Sequence, residues 1–299
     1  MSLTRRRFLS IAAAGTLAPG GASARTFFRR TGRALGATTS LTIANTSEAE
    51  AEAIFTAVEA ELARLERIFS LYDPASQLSS LNATGSLKHP APELLEVLSL
   101  SASLNQATGG LFDPTIQPLW AHLAGLAPQD RAEELVGWRH VRIESHKIRL
   151  EKPGMQLTLN GIAQGYITDR IADLLRSRGL RQVLIDMGEI AAIGQKDTHL
   201  PWSVGVTTPD NRIVARLQLK DRALATSAPG KLILNPDLNT GHIIDPTGRA
   251  EAIQNDLVAI SSPSAALADG LSTAGCLMTK HELLSTLNHY PSAKLEAIN

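Results

Sequence analysis

Residues 159–169 read Leu-Asn-Gly-Ile-Ala-Gln-Gly-Tyr-Ile-Thr-Asp. The block sits between an expected strand, Met155–Leu159, and an expected helix, Ile167–Arg178. It holds two glycines where a plain turn needs one. Glycine lacks the Cβ that blocks close approach to a backbone. At a helix N-terminus the first N–H groups have no intrahelical partner and attract anions, phosphate above all. Two readings stand side by side: a tight strand-to-helix turn, or a backbone shaped so that a phosphorylated ligand comes close. The rest of the chain has to decide.

The N-terminus reads as a targeting segment. Thr4-Arg5-Arg6-Arg7-Phe8-Leu9-Ser10 precedes an apolar run, Ile11–Ala18, and then Ala22-Ser23-Ala24. A charged start, a short apolar stretch and an A-x-A pattern describe a secretory signal. The run falls short of the ~20 apolar residues that span a bilayer. Paired arginines before Phe-Leu point to twin-arginine export into the periplasm, with an ordinary secretory signal as the alternative. Residues 1–24 are thus expected to be the signal, and residues 25–299 a single mature domain.

Formal net charge is zero and no basic cluster survives outside the signal, so nucleic acid is not an expected partner. Cys276 is the only cysteine, which excludes an intramolecular disulfide and a Cys-based zinc site. No stretch after the signal is apolar enough to cross a membrane.

Helical and strand periodicities interleave along the chain. Leu35–Ile43 reads as a strand, opened by Gly32 and Gly36. Glu48–Phe69 is an amphipathic helix, with Ile54, Val58, Leu62, Leu65 and Phe69 on one face. Pro92–Gln106 reads as a second helix and Ile167–Arg178 as a third, stopped by Gly179. Val183–Asp186 reads as a buried strand. Trp202–Thr207 and Ile213–Leu219 read as strands around a turn at Pro209-Asp210-Asn211. Leu257–Ser261 is another strand, and Ser262-Pro263 then opens a helix through Leu271 and Ala274. The mixture fits an α+β architecture.

On that last helix, Asp269 and Thr273 lie four apart and share a face. A carboxylate and a hydroxyl one turn apart can offer oxygen ligands to a hard cation such as Mg2+. The competing reading is an Asp paired locally and a Thr bonded back to its own helix. His242, beside Ile243 and following a Gly turn, is a candidate base or phosphate contact, or a structural histidine. Gly110–Thr115 has the glycine, the aromatic and the Asp-Pro of a ligand-lining loop, and Phe69–Pro74 places Tyr72 at a helix tip.

Taken in order, these stretches resemble the ApbE-type FAD:protein FMN transferases. The resemblance rests on Phe69–Pro74 through Leu81-Asn82, Thr108–Thr115, Leu159–Asp169, Ala225-Thr226-Ser227, Gly241–Gly248 and Ala268–Ala274. It implies an α+β, T-fold-like architecture of antiparallel sheets and packed helices. It implies an enzyme that uses FAD with Mg2+, moves FMN onto a Thr or Ser hydroxyl of an acceptor flavoprotein, and releases AMP. By the same resemblance Gly161 (through its carbonyl), Asp269 and Thr273 are the metal ligands. Leu35, Tyr72, Leu111, Phe112, Asp113, Thr158, Gln164, His242 and Ile243 match positions lining the FAD site. Asp269 and His242 are the two candidate catalytic groups, although a carboxylate bound to Mg2+ is a poor base.

The chain departs from the family pattern at Thr158, Asn160 and Gln164, where the family has Asp, Gly and Lys. The loss of a lysine removes a positive charge that would pair with phosphate. The Leu-Asn-Gly-Ile-Ala-Gln-Gly-Tyr form, with a twin-arginine signal, is similar to the branch that includes NosX. That implies a NosR-like acceptor and nitrous oxide reductase maturation. The alternatives are a Mg2+-dependent FAD pyrophosphatase, with water in place of the acceptor, and a non-catalytic periplasmic FAD-binding assembly factor.

Overall fold

Seven strands of the computed structural model form one antiparallel sheet whose spatial order follows the chain order, with the strands of three smaller sheets interleaved between them in sequence. The structure describes residues 27–34, 37–126, 131–197, 199–235, 240–249 and 252–299. The expected signal, residues 1–24, and the expected site residue Leu35 lie outside the described residues.

β1 (Phe27–Ala34) and β2 (Ala37–Ala44) form an antiparallel pair, so the strand expected over Leu35–Ile43 is the second of two arms. α1 (Glu48–Phe69), α2 (Gln77–Thr84), β3 (Ser86–Lys88) and α3 (Pro92–Ala107) follow. After α4 (Gln117–Leu123), β4 (Val141–Glu144) and β5 (Lys147–Leu150) join β3 in a three-stranded sheet. α5 (Ala163–Ser177) leads into β6 (Val183–Asp186) and β7 (Ile190–Ile193). β8 (Trp202–Thr207) and β9 (Ile213–Leu219) pair with each other, and β10 (Arg222–Ser227) rejoins the main sheet. β11 (Ile233–Asn235) pairs with β12 (Thr240–Gly241). β13 (Val258–Ser262), α6 (Ala265–Gly275), α7 (Lys280–Leu287) and β14 (Lys294–Ile298) close the chain. The main sheet has the order β1-β2-β6-β7-β10-β13-β14.

Alternation along the central strands puts a core on each face of this sheet. Val183, Ile185, Ala191, Ile193, Ala223, Ala225, Val258 and Ile260 point into the larger core with α1, α5 and α6. Leu184, Ile190, Ala192, Leu224 and Ala259 point the other way, beneath Trp202, Val204 and Val206 of β8. Burial on both faces explains why these strands read as nearly unbroken apolar runs. Each fully buried Leu or Ile in them stabilises the fold by ~1.5–3 kcal/mol.

α1 follows its sequence closely. Ser47 and Glu50 close a reciprocal capping box, and Ile54, Val58, Leu62, Leu65 and Phe69 are buried. Around the opening block the structure corrects the expectation. Met155–Leu159 pairs with no strand: Asn82 instead clamps Leu157, donating to its O at 2.8 Å and accepting from its N–H at 2.7 Å. The following helix starts at Ala163 rather than Ile167, so Gly165 lies inside α5. The cap of α6 is Ser264 rather than Ser262.

Candidate functional site

At Gly165, α5 meets the backbone of α6 with no side chain between them. A Cβ on Gly165 would stand 2.4 Å from Ala265 O and 2.7 Å from Ala266 Cα. That contact lets the Gly165 N–H donate to Asp269 Oδ2 at 3.1 Å. Asp169, which ends the opening block, accepts from Ala265 N (2.7 Å), Ala266 N (3.0 Å) and Ser264 Oγ (2.8 Å). The two N–H groups belong to the first turn of α6 and have no intrahelical partner, while Ser264 Oγ also caps the helix by accepting from Leu267 N. One sequence block thus fixes both the distance and the axial position of the helix that carries Asp269 and Thr273.

Gly161 comes against the next turn of α6. A Cβ there would lie 3.0 Å from both Oγ1 and Cγ2 of Thr273. From β10, Ser227 Oγ stands 2.8 Å from Ser272 Oγ and 3.4 Å from Thr273 Oγ1. Gly161, Asp269 and Thr273, expected as a set, therefore belong to one spot where α5, α6 and β10 converge.

Burial shapes the charges around that spot. Asp269 is 4% exposed, and burial lifts its carboxyl to about 7, against the opposing Gly165 hydrogen bond. Glu189 is also buried, and burial together with the Asp269 charge pushes it well above the usual carboxylate range. Burial lifts Asp186 to about 6 and draws Lys231 down to about 8, where Glu189 and Asp186 oppose the fall. The donor set fits a small hard cation, since a buried carboxylate, a hydroxyl and main-chain oxygens suit Mg2+. Burial and the Asp269–Glu189 repulsion make ionisation of these acids costly, and such an ion would offset that cost. Among the described residues no three His, Cys, Asp or Glu side chains gather into a metal group.

The other expected residues are distributed around this spot. His242 Nδ1 lies 3.2 Å from Pro229 O; burial lowers its pKa, so the ring is neutral at pH 7. Ile243, Leu111 and Phe112 are buried in the larger core. Phe112 packs 3.6 Å from the point a Cβ on Gly270 would occupy, so it supports α6. Asp113 accepts from Thr115 N and Oγ1 and from Trp138 N, which ties its carboxylate to its own turn and to the segment that begins at Trp138. Thr158 Oγ1 accepts from Asn160 N, and Gln164 packs on Gly188, where a Cβ would meet its Oε1 at 2.8 Å. Tyr72 is 58% exposed and lines a pocket of about 240 Å³ with Trp120, Leu126 and Asn160. A larger, shallow groove beside α7 and β14 contains none of these residues.

The model of the ApbE family matches residues 35–298. This chain belongs to the ApbE family. An FAD:protein FMN transferase of Vibrio cholerae is 30% identical over 251 residues, covering 77% of this chain and 75% of the relative. One of Treponema pallidum is 28% identical over 279 residues, covering 81% and 76%. Among solved structures, the flavin transferase ApbE from Vibrio cholerae superposes with a TM-score of 0.79 at 24% identity, covering 92% of this chain and 96% of that one. The ApbE protein from Thermotoga maritima gives 0.78 at 25% identity, with the same coverage.

Within this ApbE-family fold, the sequence left four contributors unassigned: Asp169, Glu189, Ser227 and Lys231. Asp169 was visible as the last residue of the opening block, and Ser227 as the last of Ala225-Thr226-Ser227. Glu189 and Lys231 carried no motif signal. Glu189 reaches the site because β7 and β10 are neighbours, which lets the Thr226 N–H donate to its Oε2 at 3.3 Å.

Proposed function

We propose that this chain is a Mg2+-dependent FAD:protein FMN transferase, which esterifies a Thr or Ser of an acceptor flavoprotein with FMN and releases AMP. The observation that carries the reading is the convergence of Gly161, Asp269 and Thr273 on one spot in a chain of this family. The acceptor hydroxyl oxygen bonds to the FMN-side phosphorus of FAD. The bond from that phosphorus to the bridging oxygen breaks, and AMP leaves with that oxygen. A cation held by Asp269, Thr273 and the Gly161 carbonyl supplies neutralising charge at the diphosphate.

The protein's own part is to position and to move a proton. Asp269, committed to the metal, is a poor base. His242, neutral and held by the backbone of Pro229 and Leu232, takes the proton from the acceptor hydroxyl. The pocket beside Tyr72 and Asn160 is smaller than a site for a whole dinucleotide and suits one ring system. The N-terminal arginine pair supports action in the periplasm after twin-arginine export. The form of the opening block supports a NosR-like acceptor and a place in nitrous oxide reductase maturation.

Incubating the chain with FAD, Mg2+ and an acceptor domain tests the reading by mass spectrometry. Covalent FMN on the acceptor supports transfer. Free FMN with AMP and an unlabelled acceptor identifies a pyrophosphatase, and unchanged FAD a non-catalytic assembly factor.

A further inference from the structure

The 3-10 turn Pro229–Lys231 follows β10, whose last residue, Ser227, stands 3.4 Å from Thr273 Oγ1. The turn is locked in place. A Cβ on Gly241 would meet Pro229 O at 2.6 Å, His242 Nδ1 lies 3.2 Å from the same oxygen, and Lys231 N–H donates to Ala228 O at 3.1 Å. Lys231 is half-buried, and its charge acts on Glu189, Asp186 and His242. Gln164, packed on Gly188 beside Glu189, brings only a neutral amide to the same cluster.

Glu189 and Asp186 are the two carboxyl groups whose charge reaches this ammonium, and the Asp269 charge acts on Glu189 in turn. A dinucleotide diphosphate adds two negative charges next to them. Unscreened like charges in a partly buried site repel strongly, and a fixed cation beside the phosphates offsets that repulsion. A lysine suits the task, being a compact point charge on a flexible stem.

We propose that Lys231 is a diphosphate-binding residue, its ammonium shared between Glu189 and the phosphate oxygens of the bound dinucleotide. The identity of the dinucleotide rests on the FMN-transfer reading. The test uses the full chain with Mg2+, titrating ADP and riboflavin into wild type, Lys231→Met and Lys231→Arg. ADP affinity is expected to fall about tenfold or more in Lys231→Met, the size of a lost charge-assisted hydrogen bond. Lys231→Arg should recover most of it, and riboflavin, which has no phosphate, should bind all three alike. A smaller loss for ADP, an equal loss for riboflavin, or no recovery with arginine overturns the assignment. The two readings fail separately. Wild type that shows this binding pattern but labels no acceptor refutes transfer alone. Wild type that labels an acceptor while Lys231→Met holds ADP normally refutes the role of Lys231 alone.

Discussion

The Gly165 N–H donates to Asp269 Oδ2 across 3.1 Å, joining a residue in the first turns of α5 to one in the middle of α6. The bond exists because Gly165 has no side chain: α6 backbone fills the space a Cβ would take. The question raised by two glycines in one block has a divided answer. Gly165 admits a helix, and Gly161 admits the Thr273 side chain.

Asp269→Ala is expected to reduce FMN transfer by on the order of a hundredfold or more, as for loss of a principal charge-stabilising group. The variant should stay folded, because the change removes a costly buried carboxylate. Labelling of an acceptor near the wild-type rate would refute the metal assignment.

The two glycines should respond differently to alanine. Gly165→Ala forces α5 and α6 apart and should cost about 1–3 kcal/mol or more by overpacking, measured in urea. Gly161→Ala meets only the Thr273 side chain, which can shift. Its main effect should be a raised Mg2+ half-saturation with little change in Tm. Equal destabilisation by both would show that Gly161 serves packing alone.

Asp169→Ala strips partners from Ala265 N, Ala266 N and Ser264 Oγ. A loss of about 1–3 kcal/mol is expected, with a raised Mg2+ requirement because α6 loses its anchor. Asp169→Asn keeps one acceptor oxygen and should lose less. Unchanged urea midpoints for both would refute the anchoring role.

pH should act on the metal-free protein through Asp269. Its folded pKa of about 7 lies above the ordinary carboxylate value, because burial penalises the charged form. The associated stability is therefore fully present below the ordinary value and is lost as pH rises toward 7. Mg2+ displaces that proton, so Mg2+ affinity should climb over the same interval. Denaturation from pH 4 to 8 checks both points: Asp269→Asn should make the slope shallower, leaving the share that belongs to Glu189 and Asp186, and Mg2+ should offset the Asp269 share in wild type. An identical slope in the variant would assign the dependence to another group.

Much was legible in the sequence where a signal is local. The α1 helix, the β6 strand and the β8–β9 pair follow from periodicity, and each falls at its expected residues. The pairing of Asp269 with Thr273 needed only helical spacing. Met155–Leu159 misled because Met155, Leu157 and Leu159 are buried in the larger core while Asn82 and Pro114, not a strand, bond the backbone, and periodicity cannot distinguish the two.

By itself, then, the sequence determined the local elements, the family and the donor types available to a cation. Only the tertiary structure decided which donors meet. Sheet order brings β7 beside β10, and with it Glu189 and Lys231 to the site, while the gap left by Gly165 sets where α6 stands. The physical reason is that charge and contact act through space, and residues far apart in the chain become neighbours only when strands pair and helices pack.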